Sequence, residues 1–108
     1  MAGIQDTNVI DLVTHEPSAD EYVLIITAPE VWTDSDEQLR QLTDKINAYT
    51  TFAIEGGLVR AYPQTTGKSI RFQLDCWSPL TSRVGALVEH ARYRLANFRI
   101  GFTVNLLS

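Results

Sequence analysis

Histidine and cysteine are nearly missing from this chain: its 108 residues hold His15, His90 and Cys76 and no others of either type. One cysteine cannot close an internal disulfide, which sets aside the small secreted scaffolds stapled by such bridges and suits a reducing compartment. With two imidazoles the choice of bases for a serine or cysteine hydrolase is short. Long apolar runs are missing too. The longest aliphatic stretch, Val23 to Ile26, is far too short to cross a bilayer. The first residues, MAGIQDTNVIDLV, lack a basic start and carry Asp6 and Asp11 where a signal peptide would be apolar, so nothing marks the chain for export. These absences lead us to expect a cytoplasmic protein without a membrane span.

What remains is an ordinary globular composition, 44% hydrophobic and 20% charged, in a length that fits one domain spanning residues 1–108. The charges are not evenly spread. Residues 1–57 hold eleven carboxylates against Arg40 and Lys45, whereas residues 58–108 hold seven bases against Asp75 and Glu89. Two readings follow: the halves interleave and pair internally, or they form a dipolar surface that steers a charged partner or a second copy.

The segments NVIDLVT and EYVLIITA are rich in β-branched residues and flank HEPSAD, in which Pro17, Ser18 and Asp20 each favour a turn. This predicts a hairpin and makes His15, Glu16, Asp20 and Glu21 a solvated loop cluster. Their spacing lacks the i, i+4 pairing of a helical zinc site. A helix is predicted after Ser35, with Gln38 three residues on as a capping box, and with Leu39, Leu42, Ile46, Tyr49 and Ala53 on one stripe. Gly56 and Gly57 end it. Two extended segments are expected in LVRAYPQTTGKSIRFQLDCW, the second alternating Ile70, Phe72, Leu74 and Cys76 inward against Arg71, Gln73 and Asp75 outward. Ser78 and Pro79 open a second helix with an inner face from Leu80 to Phe98, and RIGFTVNLL closes the chain as a strand.

The expected architecture is therefore α+β: a mostly antiparallel sheet, element order ββαββαβ, two helices on one face, a ferredoxin-like variant. Three patterns quoted from the chain, NVIDLVT, KINAY followed by Phe52 and the paired glycines, and AYP at residues 61–63, together resemble a widespread bacterial family of uncharacterised domains. The resemblance implies a bacterial, cytoplasmic origin and brings no activity or site residues.

Catalytic and cofactor signatures are weak throughout. TTGKS resembles the tail of a phosphate-binding loop, but position 62, where that motif's first glycine would stand, is Tyr62. Cys76 is expected inward and His90 outward, so they make a poor nucleophile and base. No catalytic residue, metal ligand or cofactor is assigned. The expected open face of the sheet lacks the aromatics and positive balance of an RNA-binding surface, so nucleic acid is not an expected partner.

Two sites are named as candidates. Apolar residues on both sides of the first hairpin suggest an interface on the open sheet face, with Val9, Val13, Val23 and Ile25 near its centre, for a homo-oligomer or a protein partner. Arg83, His90 and Arg94, spaced i, i+7 and i+11 on the second long helix, form a candidate anion site. The expected function is a non-enzymatic protein-interaction module; the alternative is a small-ligand binder or modest hydrolase with a pocket between helix and sheet.

Overall fold

A computed structural model describes Ile4 and residues 10–107. Strands β1 (Leu12–Glu16) and β2 (Glu21–Ala28) form the hairpin that the sequence predicts, closed by Pro17 to Asp20, where the Asp20 amide donates to the Pro17 carbonyl. Helix α1 (Asp36–Ile54) follows. Its Ser35 cap accepts from the Gln38 amide at 3.1 Å, while the Gln38 side chain reaches back past Ser35 to Thr33 and the Val31 carbonyl. The helix ends where Gly56 takes a left-handed φ of 90°, a conformation that glycine adopts without steric cost.

After Gly56 the chain departs from expectation. The segment expected to be a strand around Leu58 to Tyr62 is a short helix, α2 (Gly57–Ala61), which buries Leu58 and leads through a 3-10 turn at Pro63–Thr65 into β3 (Ser69–Cys76). Length explains this. The 19 residues of α1 rise about 28 Å, close to the roughly 26 Å spanned by the eight residues of β2. One pass of α1 therefore returns the chain to the end of the sheet where β2 began. The next strand must run parallel to β2, with no distance left over for another.

Helix α3 (Ser82–Ala96) starts behind Thr81 rather than at the expected Ser78 and Pro79, where Ser78 Oγ instead accepts from the Trp32 amide, and it repeats the move into β4 (Ile100–Leu106). The sheet order is β1-β2-β3-β4, with β1 antiparallel to β2 and the pairs β2–β3 and β3–β4 parallel. The architecture is α+β, but the sheet is mixed rather than mostly antiparallel. The strand that a ferredoxin-like order would place between α1 and β3 is helix instead. Two successive crossovers in the same direction, right-handed as such connections are, put α1 and α3 on one face.

Packing agrees with that placement. Leu24, Ile26, Phe72, Leu74, Cys76 and Phe102 join Leu42, Ile46, Tyr49, Val84, Val88 and Leu95 in one apolar cluster. The opposite face carries the alternate residues, and there Arg71 donates to Glu21, Gln73 and Thr103 while Asp75 accepts from Gln73 and Asn105. No helix among the described residues is long and apolar enough to cross a membrane.

Candidate functional site

Four places among the described residues bear on function. The first lies inside the protein. Asp11, just before β1, accepts from Lys45 Nζ at 2.9 Å on one carboxylate oxygen, and from the Thr27 amide at 3.0 Å and the Thr27 hydroxyl at 3.1 Å on the other. The Tyr49 hydroxyl accepts from the Asp11 amide and donates to the Ile25 carbonyl at 2.5 Å. Lys45 Nζ also lies 5.6 Å from the centre of the Tyr49 ring. Lys45 and Asp11 side chains are 0% and 3% exposed. Burial pushes the Tyr49 phenol up, which keeps it protonated. This network sews the entry to β1 onto β2 and α1, and its enclosure makes it a structural clamp rather than a reaction site. Sequence reading missed it: Lys45 and Tyr49 are i, i+4 on α1, but the polar Lys45 sits on the edge of an apolar stripe, and its partner is 34 residues away.

The second place is the hairpin tip. His15 Nε2 lies 2.9 Å from Asp20 Oδ1, Lys68 donates to the other oxygen of Asp20 at 2.6 Å, and the His15 ring packs on Tyr22. The Lys68 ammonium beside Asp20 holds its carboxyl below the usual range, and Asp20 in turn raises the Lys68 pKa. All three side chains are 40% or more exposed. Glu16 stays apart from this group, and Glu21 turns to Arg71 on the open face. No set of three or more histidine, cysteine, aspartate or glutamate side chains among the described residues is placed to hold a metal ion.

The third place is α3. Arg83, His90 and Arg94 do not converge. Arg83 donates to the Asp34 carbonyl and to Asp36 at the start of α1, and Arg94 donates to Asn47 half-way along it. Seven and eleven residues put these side chains on one face, but the neighbouring helix engages the two arginines at separate points. His90 lines a cavity of only about 50 Å³ between α1 and α3. Cys76 is wholly buried, and burial pushes its thiol up, eased by the Trp32 indole N–H that faces it. Among the described residues that Trp32 nitrogen has no nitrogen or oxygen acceptor. Cys76 is therefore core filling, with His90 exposed on another surface.

The residues chosen for an interface on the open face are also redistributed. Val13 lies opposite Leu24 and packs against the core, because the hairpin register gives it the same face as the helices. Val23 and Ile25 do point to the other face but are only 4% and 7% exposed, so they offer little surface. Val9 lies outside the described residues.

Exposed apolar side chains occur at several points, Leu12, Tyr93 and Phe98 among them, and three stand at the fourth place, the exit end of the parallel strands. Val31 is 67% exposed, Trp77 50% and Leu106 49%. Two hydrogen bonds tie their segments together: the Trp32 amide to Ser78 Oγ, and the Leu107 amide to the Cys76 carbonyl.

The opposite charges of the two halves are paired in part across the fold's surface. Asp20 with Lys68, Glu21 with Arg71, and Asp36 with Arg83 are ion pairs that cross between them. A groove of about 620 Å³ lies between α1, α2 and Ile10, outside the seam of helix and sheet where a ligand pocket was expected.

No curated protein and no solved structure matches this chain. The profile of DUF6572, a family of unknown function, matches residues 2–108, and the chain belongs to that family.

Proposed function

We propose that the chain is a non-enzymatic protein-interaction module that pairs with a second copy of itself through the exit end of its sheet. The observation that supports this is Trp77, half exposed just past the end of β3, with Val31 after β2 and Leu106 at the end of β4 also exposed. Tryptophan is the side chain most enriched where interfaces concentrate their energy. A patch whose members are all uncharged also complements itself across a two-fold axis without any matching of charges. The interface thus moves from the open sheet face, where Val23 and Ile25 are covered, to the end of the same sheet. Three side chains make a contact smaller than the usual 800 Å² or so per partner, so association falls in the weak, micromolar class. The single buried thiol of Cys76 is consistent with a cytoplasmic setting.

Sedimentation velocity over a range of concentrations tests the reading. The expected result is a monomer–dimer equilibrium insensitive to salt, weakened about 30-fold or more by Trp77→Ala. A monomer at every concentration overturns self-association. A dimer that dissolves as salt rises would instead favour charge steering by the two halves.

A further inference from the structure

At the other end of the sheet, where β3 and β4 begin, lies a cleft of about 350 Å³ lined by Lys68, Ser69, Ile70, Phe98, Arg99 and Ile100 among others. This volume falls in the range of small-molecule sites. We propose that the cleft binds a small oxyanion carrying a flat apolar group, an aryl phosphate or aryl carboxylate, with Arg99 as its principal anchor.

Arg99 has a φ of 59°, in the left-handed region, as the chain leaves α3. At a helix exit that position is normally glycine or asparagine, since other side chains are strained there. The fold on its own would be better served by glycine. The arginine side chain gives nothing back to the interior: among the described residues its guanidinium makes no hydrogen bond or ion pair, and it lines the cleft. A residue that costs stability and forms no internal hydrogen bond or ion pair is the kind of local inconsistency that marks a functional site.

The surroundings suit an anion with an apolar body. Lys68 stands on the same cleft, held by Asp20 at 2.6 Å and still 41% exposed, so its ammonium is positioned but only partly neutralised. Ser69 adds a hydroxyl. The negative end of α3 is muted, because the amides of Asn97, Phe98 and Arg99 donate to the carbonyls of Arg94, Leu95 and Ala96. Arg99 therefore acts as a net positive centre, and its planar fork matches a carboxylate or phosphate edge. Phe98, half exposed, and Ile70 supply apolar surface for a flat ring.

The test is titration followed by amide NMR, with phenyl phosphate, benzoate and inorganic phosphate as separate probes. Saturable shifts at Ser69 and Arg99 with phenyl phosphate or benzoate are expected, and the tighter of the two identifies the head group. Arg99→Gly should weaken binding at least tenfold while raising the thermal midpoint. Arg99→Gln, which keeps the strained backbone, should weaken binding without that rise. Absence of saturable shifts with both aryl probes overturns the site, as does an Arg99→Gly variant that binds equally well. Inorganic phosphate binding as tightly as phenyl phosphate overturns the apolar part of the proposal.

Discussion

Two aspartates in this protein each hold a lysine, at 2.9 Å for Asp11 with Lys45 and 2.6 Å for Asp20 with Lys68, yet the two pairs do different things. The first is sealed from water by α1 and β2; the second stands at the hairpin tip with roughly half of its side-chain surface wet. Similar distances therefore carry very different energies. In water the attraction is screened and the hydrated separated ions are nearly as good, whereas in the interior each charge has given up its hydration and depends on the other. The buried pair gains its specificity from the added bonds to Thr27 and through Tyr49. Distance alone would rank the pairs in the wrong order.

The contrast can be broken most forcefully at Lys45. Lys45→Met strands the Asp11 carboxylate in the interior and should cost about 3–5 kcal/mol in urea unfolding. Adding Asp11→Asn should recover part of that loss, since no buried charge then lacks a counterion and the amide oxygen can still accept from Thr27. A double variant at least as unstable as Lys45→Met would show that charge compensation is not what the pair provides. Tyr49→Phe comes next, at about 2 kcal/mol, because it leaves the Asp11 amide and the Ile25 carbonyl without the hydroxyl that links them.

The same phenol sets an alkaline limit. Its pKa is raised by burial, so below the ordinary tyrosine value of about 10 its contribution is intact. As pH climbs past that value the unfolded chain ionises first, and stability falls. Unfolding midpoints measured from pH 8 to 11 should decline more steeply in the wild type than in Tyr49→Phe. Parallel slopes would contradict this role.

The smallest effect belongs to Asp20→Asn. The lowered Asp20 pKa makes its contribution present above about pH 4 and lost as pH falls, and the raised Lys68 pKa makes its share present below about pH 10 and lost as pH rises. Between those limits the difference from wild type should be slight and should shrink further in high salt. A large, salt-independent loss would mean that the tip is not solvated as its exposure indicates.

Much of this molecule was legible along the chain. The hairpin, the Ser35 start and Gly56 stop of α1, the inward set Phe72, Leu74 and Cys76, and the polar ladder from Arg71 to Asn105 all follow periods of 2 or 3.6, or turn chemistry, which neighbours in sequence express. What the chain concealed involves partners far apart in number. The LVRAY segment has strand composition, yet it is helical because α1 has already returned the chain to the far end of the sheet. Arg83, His90 and Arg94 share a helix face in sequence, but contacts with Asp34, Asp36 and Asn47 keep the two arginines apart. Val13 and Val23 both looked available for an interface, and hairpin register placed Val13 under the helices.

By itself the sequence determined which segments are amphipathic, where α1 begins and ends, and that the lone thiol belongs to the apolar side. Only the tertiary structure decided that β3 and β4 run parallel to β2, that Lys45 finds Asp11 inside, and that Trp77 rather than the valines of the hairpin meets solvent. Local pattern records what each residue avoids or seeks, water above all. Which distant residue satisfies it depends on how rods and strands of given length pack, and that geometry is written in no single stretch of the chain.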